Sequence, residues 1–250
     1  MRIKNELRYY GINTCKAIWQ RRKQDVVRIY ITKENLQEFA ETLSWCAAKK
    51  IAYHLVEDIE IEKYCRAVHH EGICFLAREL PELSFEDFES SLKASNNLPE
   101  CILYLDGVSN PHNLGGILRT AAHFGVKFVL GSKNQLPQLS PSLCRVSQGA
   151  SEYVSLVRAT KPLRSLETLK SLGFSVISAA PGTKISLYDF KFPPRAIVCL
   201  GSEGSGVSKD ILKASNNKIT IPGTGEIESL NVSCAASVVM GEYWRQLNCK

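Results

Sequence analysis

Three separated segments of the chain combine glycine with a few polar side chains, and each follows an apolar run typical of a strand. The segments are residues 110–119 (NPHNLGGILR), 200–206 (LGSEGSG) and 221–233 (IPGTGEIESLNVS). Loops at the carboxyl ends of parallel strands are where open α/β sheets bind ligands. Three such loops in the C-terminal part of one chain predict a single reaction centre built from all of them.

The first segment offers a guanidinium close to a glycine-containing helix start. Asn113 can cap a helix, and Gly115 and Gly116 would allow another backbone to come close. Arg119 follows Asn113 by six residues, nearly two turns, so both side chains can face one side if Asn113 stands at the helix entry. A planar, permanently charged fork suits a phosphate or a ribose edge. The alternative is a surface arginine, which the small, apolar neighbours of Arg119 disfavour.

Two histidines of this region, His112 and His123, are candidate bases because imidazole titrates near neutral pH. Each also has a structural explanation. His112 can complete the turn after Pro111, and His123 stands at a predicted helix end. We favour the structural explanation for both.

The second segment does not match a nucleotide-binding signature. Gly201, Gly204 and Gly206 are in the wrong order for the G-x-G-x-x-G dinucleotide fingerprint, and no Gly-Lys-Ser/Thr follows as in a P-loop. A nucleotide-dependent oxidoreductase, kept as an alternative, is therefore disfavoured. Glu203 can accept hydrogen bonds from ligand hydroxyls or from Arg119, or it can be an acid favoured by a helix N-terminus.

The third segment places Ser229 and Asn231 two residues apart, just before a predicted helix. Either side chain can be the N-cap of that helix. A nucleophilic serine would need a base and an oxyanion hole, and no Gly-x-Ser-x-Gly elbow is present in the sequence. The pattern therefore disfavours a hydrolase.

The elements that must position these segments alternate regularly along the C-terminal part of the chain. Predicted strands cover residues 101–105, 128–130, 154–157, 174–178, 195–200 and 218–221, and predicted helices cover 113–124, 142–148, 162–172, 209–214 and 231–247. Strands separated by helices indicate a mainly parallel α/β sheet with both faces covered.

The N-terminal part alternates over a shorter length and is predicted to be a small α/β sandwich. Its predicted strands are 26–31, 51–55 and 72–77, and its predicted helices are 13–20, 34–49 and 59–67. The stretch from Leu80 to Pro99 is polar, acidic and bracketed by prolines, which is typical of a linker. We therefore predict domains at residues 1–80 and 100–250, joined by a linker at 81–99.

Charge is distributed unevenly along the chain, whose formal net charge is +6. Residues 1–33 hold nine Lys/Arg against two acids, and residues 34–95 hold six Lys/Arg against thirteen acids. A basic N-terminal surface favours phosphate backbones such as RNA. The alternative is a solvated helix end.

Cysteine spacing and hydropathy point to the same compartment. None of the nine cysteines forms a C-x-x-C pair, and their number is odd, so we expect reduced, buried thiols and neither a disulfide framework nor a metal site. No apolar stretch approaches the roughly 20 residues that span a bilayer, and the N-terminus is charged. We expect a cytoplasmic protein without a membrane anchor.

Taken together, the three segments resemble the signature motifs of the SpoU (TrmH) family of RNA ribose 2′-O-methyltransferases. Residues 113–119, 201–206 and 221–233 match the first, second and third motif, and the resemblance covers about residues 101–247. The N-terminal part, with YGIN from Tyr10 and VHHEGI from Val68, resembles the substrate-binding domain of members that act on large-subunit ribosomal RNA. That domain has a ribosomal-protein-like fold.

The resemblance implies a C-terminal sheet tied in a trefoil knot of the SPOUT type, a homodimer, and S-adenosyl-L-methionine as cofactor without a metal. Backbone groups around Gly201, Ile221 and Leu230 would hold the cofactor. Arg119 would act on the ribose 2′-hydroxyl. It would be assisted by four polar residues, Asn113, Glu203, Ser229 and Asn231.

Elementary chemistry limits what Arg119 can do. Free arginine is a poor base because its pKa exceeds about 12. We therefore expect Arg119 to orient the hydroxyl and to stabilise the developing alkoxide beside a phosphate, taking the proton only once the site is dry. Position 223, directly after Ile-Pro, is glycine in this chain, whereas members of the family often carry a larger apolar residue there. We expect Gly223 to loosen the cofactor loop.

The resemblance thus predicts methyl transfer to a ribose hydroxyl of structured RNA. The N-terminal domain favours 23S ribosomal RNA, and transfer RNA is the alternative. A non-catalytic RNA-binding protein on the same scaffold is the competing hypothesis, and it would bind RNA without transferring a methyl group.

Overall fold

The computed structural model describes residues 6–94 and 100–249. Residue contacts divide the chain into two compact units. Unit 1 consists of Met1–Pro81 and Leu139–Glu152, and unit 2 consists of Glu82–Gln138 and Tyr153–Lys250. Unit 1 is thus assembled from two stretches that are separated in sequence.

Unit 1 is built on a mixed four-stranded sheet. Its first stretch contains β1 (Glu6–Tyr10), α1 (Ile12–Arg22), β2 (Val26–Ile31), α2 (Ala40–Lys49), β3 (Ala52–Leu55), α3 (Asp58–Cys65) and β4 (Ile73–Arg78). The strand order is β1-β4-β2-β3. β4 is antiparallel to both of its neighbours, and β2 and β3 are parallel. All three predicted strands are present, whereas β1 was not predicted.

The two faces of this sheet are covered differently. Alternate strand residues such as Ile29, Ile31 and Phe75 are fully buried in a core shared with Cys15 of α1 and Cys46 of α2. The opposite face carries a smaller core against α3, formed by Tyr10, Tyr30, Ile61 and Cys74. Because helices lie on both sides, residues of both orientations are buried along most of β2 and β4.

The second helix is shorter than predicted. Residues 33–35 form a 3₁₀ turn, and the α-helix starts only at Ala40. The buried Asn35 side chain donates a hydrogen bond to the Glu71 carbonyl (2.8 Å). This tertiary bond draws the segment towards the turn before β4, so the helical periodicity of residues 34–39 does not become a regular helix.

The predicted linker is wrong for residues 83–94. They form β5 (Leu83–Ser84) and α4 (Phe85–Ala94), and both belong to unit 2. The apolar residues of α4 recur at helical spacing, and Phe88 and Leu92 are buried in the unit 2 core. The acidic residues occupy the exposed side of this helix and obscured that pattern. The rest of the predicted linker, residues 95–99, lies outside the described residues.

The remaining elements carry the C-terminal part of the chain. They are β6 (Glu100–Asp106), α5 (Pro111–His123), β7 (Phe128–Ser132), α6 (Pro141–Val146), β8 (Ser155–Ala159), α7 (Pro162–Ser171), β9 (Ser175–Ala179), β10 (Ile185–Ser186), β11 (Arg195–Gly201), α8 (Lys209–Ala214), β12 (Asn217–Thr220) and α9 (Val232–Asn248). Unit 2 contains an eight-stranded sheet of order β10-β12-β9-β11-β6-β7-β8-β5. Every pairing in it is parallel. The prediction of a mainly parallel α/β sheet is confirmed.

Both faces of the large sheet are buried. In the central strand β6, Ile102 and Tyr104 belong to a core that also contains Phe88 of α4 and Leu166 of α7. Leu103, on the opposite face of the same strand, is fully buried as well. Parallel sheets occur almost only where helices cover both sides, because their crossovers place helices there.

The second stretch of unit 1 is held by bonds to α1. The Thr14 hydroxyl donates to the Cys144 carbonyl (3.1 Å). Gly149 has φ +78°, and a Cβ there would lie 2.6 Å from the Ala17 Cβ. The guanidinium of Arg22 donates two hydrogen bonds to the buried Glu152 carboxylate (2.7 and 2.9 Å). The predicted domain at residues 100–250 therefore loses Leu139–Glu152 to unit 1, because these contacts join residues about 130 positions apart.

Candidate functional site

The carboxyl ends of β6 and β11 lie side by side, with Asp106 opposite Gly201. The Asp106 carbonyl accepts a hydrogen bond from the Ser202 amide (3.0 Å). The Asp106 carboxylate accepts one from the Ser208 amide (2.7 Å). Asp106 therefore fixes both ends of the loop that follows β11, which contains Glu203.

The loop after β11 folds back on its own strand. The Gly206 amide donates to the Ser202 carbonyl (2.9 Å). The hydroxyls of Ser202 and Ser205 are hydrogen-bonded to each other (2.8 Å). A Cβ at Gly201 would lie only 1.9 Å from the Gly206 carbonyl carbon, so no larger residue fits there. The chain's own close approach thus accounts for the glycine at 201.

Helix α5 begins earlier than predicted because Asn110 caps it. The Asn110 side chain accepts a hydrogen bond from the His112 amide (2.9 Å), and Pro111 occupies the first helical turn. Asn113 is therefore inside the helix, and the condition for its facing the same side as Arg119 fails. Six helical residues correspond to a rotation of about 600°, which leaves the two side chains about 120° apart around the helix axis.

Helix α9 begins with the second cap of the site. The Asn231 side-chain oxygen accepts hydrogen bonds from the Ser233 amide (2.9 Å) and from the Ser233 hydroxyl (2.6 Å). The prediction that Ser229 or Asn231 caps this helix is confirmed for Asn231. The cap leaves the side-chain nitrogen of Asn231 available for contacts outside the helix.

One carboxylate oxygen joins all three segments. Glu203 Oε1 accepts hydrogen bonds from Asn113 Nδ2 (2.9 Å) and from Asn231 Nδ2 (2.5 Å). Asn231 Nδ2 also donates to Asn113 Oδ1 (3.0 Å). We call these three residues the amide–carboxylate cluster. Of the alternatives for Glu203, a hydrogen bond from Arg119 is not observed among the described residues, and two amides donate to the carboxylate instead.

Helices α5 and α9 pack closely beside this cluster. A Cβ at Gly116 would lie 3.3 Å from the Ser233 Cβ, and the hydroxyls of Thr120 and Ser237 are hydrogen-bonded (3.1 Å). Arg119 precedes Thr120 and therefore lies beside this helix contact, in the same region of unit 2 as Asn231. Small side chains along the contact allow this approach.

The predicted catalytic residues are thus only partly in contact. Asn113, Glu203 and Asn231 form the cluster, whereas Arg119 and Ser229 are exposed. Over residues 6–94 and 100–249, neither of the two side chains forms a hydrogen bond or ion pair with a cluster residue. The exposed guanidinium of Arg119 and hydroxyl of Ser229 are accessible to a ligand.

Both histidines lie outside the cluster. His112 contributes its backbone amide to the cap, and the His123 ring packs edge-on against Phe124 (centroids 4.9 Å apart). Both residues are exposed. These contacts agree with the structural explanation favoured from the sequence.

The loop after β12 differs from the loop after β11, which is held by hydrogen bonds between its own residues. Its apolar side chains are exposed, 79% for Ile227 and 49% for Leu230, while Ile221 at its start is half-buried. The Glu226 amide donates to the Thr224 hydroxyl (3.4 Å). The described residues make no other hydrogen bond to a backbone group of residues 222–230. Exposed apolar groups beside unpaired backbone donors and acceptors can hold a flat, polar-edged ring.

Two residues that fix the site were not predicted from the sequence. Asp106 follows the apolar run 101–105 directly, a position at which polar residues reach the ligand-binding edge of a sheet. Asn110 precedes a proline, which is a helix-start signal. Both signals were present in the sequence.

Thiols and ions contribute little to this picture. Burial raises the pKa of Cys101 to about 12, so its thiol stays protonated at neutral pH. No three His, Cys, Asp or Glu side chains of the described ranges come close enough together to hold a metal ion. Likewise, none of the helices in those ranges has the length and apolar character to cross a membrane.

Family models match both parts of the chain. The model described as SpoU rRNA Methylase family matches residues 100–241, more than half of the chain. The model described as RNA 2′-O ribose methyltransferase substrate binding matches residues 9–83. The two matches follow each other without overlap.

Individual proteins match over almost the whole chain. An uncharacterized tRNA/rRNA methyltransferase YfiF of Escherichia coli O157:H7 is 33% identical over 96% of this chain and 68% of its own length. The 23S rRNA (guanosine-2′-O-)-methyltransferase RlmB of Neisseria meningitidis serogroup B is 29% identical over 97% and 96%. The SpoU methyltransferase AviRb of Streptomyces viridochromogenes, solved with AdoMet, shares the fold (TM-score 0.73, 16% identity, 98% of this chain and 91% of that one).

Proposed function

The chain belongs to the SpoU rRNA methylase family, and we propose that it transfers a methyl group from S-adenosyl-L-methionine to a ribose 2′-hydroxyl of RNA. The observation that carries the proposal is the amide–carboxylate cluster. Glu203 Oε1 is held by Asn113 and Asn231, residues from the first and third family motifs. A fixed acceptor, together with an exposed arginine on the helix that carries Asn113, suits a reaction in which a hydroxyl must be oriented and lose its proton.

The cofactor fits the loop after β12 and the neighbouring turn. Exposed Leu230, half-buried Ile221 and the unpaired backbone of residues 222–230 would hold the adenosine, with the turn at Gly201 beside them. S-adenosyl-L-methionine, when bound, supplies an electrophilic methyl group on a sulfonium. AviRb, a fold neighbour, has been solved with this cofactor. Gly223 has no atom within 4 Å of an added Cβ, so a larger side chain would be tolerated there.

The chain's own residues would then act on the ribose. Arg119 would bind the phosphate next to the target nucleotide and stabilise negative charge as it develops on the 2′-oxygen. The amide–carboxylate cluster would position the hydroxyl, and the exposed Ser229 hydroxyl would bind the ribose edge. Because the guanidinium of arginine keeps its proton in water at neutral pH, it cannot accept another and act as a base. Its main contribution is therefore electrostatic.

We propose large-subunit ribosomal RNA as the substrate. The support is the substrate-binding model over residues 9–83 and the name of the Neisseria relative, a 23S rRNA methyltransferase. Transfer RNA is the alternative that the name of the Escherichia coli relative keeps open. The ribose hydroxyl itself separates either RNA from DNA.

We further propose that the protein is a cytoplasmic homodimer whose C-terminal sheet is knotted, with a ribosomal-protein-like N-terminal domain. The strand order supports the knot, because the chain leaves β12 near one edge and returns as α9 to pack against α5. Exposed Trp244 beside Phe124, together with Ile227, supplies apolar surface for a second copy. Light scattering of the purified protein tests the dimer. Mechanical unfolding tests the knot, which would shorten the fully extended chain.

The activity is tested by incubating the protein with methyl-labelled S-adenosylmethionine and separate preparations of 23S ribosomal RNA and transfer RNA. We expect labelled 2′-O-methylnucleoside from ribosomal RNA. Label in transfer RNA alone would reassign the substrate. RNA binding without transfer to any RNA would favour the non-catalytic hypothesis.

A further inference from the structure

The outer face of the unit 1 sheet, opposite α1 and α2, is only partly covered. One row of cross-strand neighbours on this face consists of Arg8, Leu76, Arg28 and Ala52, which face each other in register across all four strands. Arg8, Arg28 and Ala52 are exposed, and Leu76 is half-buried. We call these four residues the open row. Two arginines that flank an apolar centre offer charge for phosphates and an apolar contact for a base.

An aromatic stack borders the open row. Tyr30 follows Arg28 on the same face of β2, and its ring stacks on His54 (centroids 5.3 Å, 19°) and on Tyr64 of α3 (3.9 Å, 22°). His54 is exposed, and Tyr64 is 38% exposed. Arg28 Nη1 lies 3.4 Å from the Tyr30 hydroxyl, so the cation and the stack form one continuous surface.

Positive charge predominates at this end of α3. Arg8, Arg28, Lys63 and Arg66 have no ion-pair partner within residues 6–94 and 100–249. Two acidic residues, Glu6 and Glu62, belong to elements that form this surface, β1 and α3. The other acids of this helix stand at its N-terminus, where Glu57 and Glu60 close a capping box. Glu57 lies about 12 Å along the helix axis from Cys65, whereas Glu60 lies about 6 Å along it from Tyr64.

We propose that the open row and Tyr64 bind an unpaired segment of the RNA substrate. One nucleobase would extend the Tyr64–Tyr30 stack, Leu76 would provide an apolar contact, and Arg8 and Arg28 would bind the flanking phosphates. Exposed aromatic faces select unpaired bases, because bases within a duplex are already stacked. The inference rests on the proposed RNA substrate and adds the residues that recognise it.

The first test removes charge and needs no methyl donor. Full-length protein is titrated with an RNA hairpin carrying an unpaired loop and with a fully paired RNA of the same stem, over a range of salt concentrations. For the loop RNA, Arg28→Gln should lower the slope of log affinity against log salt by about 0.7. Lys49→Gln is the matched control, since exposed Lys49 ends α2 on the other side of the sheet. It should leave the slope unchanged.

The second test removes the ring. Tyr64→Leu should weaken binding of the loop RNA by about 5- to 100-fold, whereas Tyr64→Phe should bind as the unmodified protein does. Binding of the paired RNA should stay equal in all three proteins. Thermal unfolding verifies that each variant is folded. 4-Thiouridine placed in the loop should cross-link to the peptide that contains Tyr64.

The outcomes separate this proposal from the proposed function. If Arg28→Gln and Tyr64→Leu bind the loop RNA as tightly as Lys49→Gln does, the open row is not the binding surface. Methyl transfer in the same samples would then still support the proposed activity. If the loop RNA binds through Tyr64 but no RNA is methylated, the open row stands and the proposed activity is contradicted.

Discussion

Two polar clusters of this protein have similar chemistry and opposite exposure. In unit 1, Arg22 and Glu152 are buried, and the guanidinium also donates to the Arg78 carbonyl (2.5 Å) and lies over the Tyr9 ring (5.0 Å). In unit 2, the amide–carboxylate cluster is accessible to solvent. The groups of the first cluster have partners within the chain, whereas the second cluster leaves acceptors open to a ligand.

The difference separates structural from functional polar groups. Burial lowers the pKa of Arg22, but the hydrogen bonds and charge of Glu152 and the contact with Tyr9 outweigh it, so the pKa of Arg22 is raised. A closed pair of this kind is costly to break from one side, because the remaining charge stays buried. An open cluster can be altered with little loss of stability but with a large loss of activity.

The largest expected effect follows from removing one partner of the buried Arg22–Glu152 pair. Glu152→Ala should lower the free energy of unfolding of unit 1 by about 3–5 kcal/mol, because Arg22 would be left buried without its counter-charge. Denaturant unfolding measures the loss. The matched control is Glu38→Ala, which removes an exposed ion pair with Lys16 and should cost no more than about 1 kcal/mol. Equal losses in the two variants would contradict the distinction.

At the open cluster the effect should fall on rate. Arg119→Lys should lower kcat by about 10²–10³-fold while stability stays unchanged, since an ammonium cannot make the paired contacts of a guanidinium. Arg164→Lys, at an exposed position of α7, is the control and should turn over normally. Near-normal turnover of Arg119→Lys would remove Arg119 from the mechanism.

The two helix caps allow stability and rate to be separated. Asn110→Ala and Asn231→Ala should each cost about 1 kcal/mol of unfolding free energy, because each removes one N-cap. Only Asn231 also contacts Glu203. Methyl transfer should therefore fall by about tenfold or more in Asn231→Ala alone. A similar fall in Asn110→Ala would show that helix fraying, and not the cluster, limits the rate.

The smallest effect concerns an ion pair of unit 2 in which Glu242 is buried and Arg245 is exposed. Hydrogen bonds from Arg245 (2.8 and 2.7 Å) lower the pKa of Glu242. A carboxylate whose pKa is lowered by folding contributes stability above its unfolded pKa of about 4.3 and loses it as pH falls through the folded value. The gap in unfolding free energy between the wild type and Glu242→Gln should therefore be present at neutral pH and close below about pH 4. A gap that is constant with pH would contradict this.

Sequence patterns predicted unit 2 better than unit 1 for a physical reason. Its strands are buried on both faces and read as apolar runs, and its helices follow in regular alternation. In unit 1, β1 (Glu6–Tyr10) was missed because its outer-face residues, Glu6 and Arg8, are charged and exposed. In unit 2, helix α4 was also missed, because its acidic composition outweighed the spacing of Phe88 and Leu92. Local propensity is a weak guide where one face of an element is solvated.

The candidate site could be predicted as a set of residues but not as a geometry. Motif resemblance assembled Asn113, Glu203 and Asn231, and the structure joins them through one oxygen. The resemblance could not show that Asn110 caps helix α5, and hence that Arg119 and Asn113 face different sides of this helix. Nor could it assign Glu152 to unit 1, since that depends on a partner 130 residues earlier.

The split composition of unit 1 has a consequence for biosynthesis. When only the first 81 residues have left the ribosome, the four strands of unit 1 have been made. Arg22 then still lacks the Glu152 carboxylate with which it pairs. The missing stretch emerges only after Glu82–Gln138, which belong to the other unit. Nascent chains usually complete their N-terminal domain first, but here that domain must wait until part of its neighbour has been translated. Its late closure leaves an interval in which chaperones or proteases can engage the unfinished sheet.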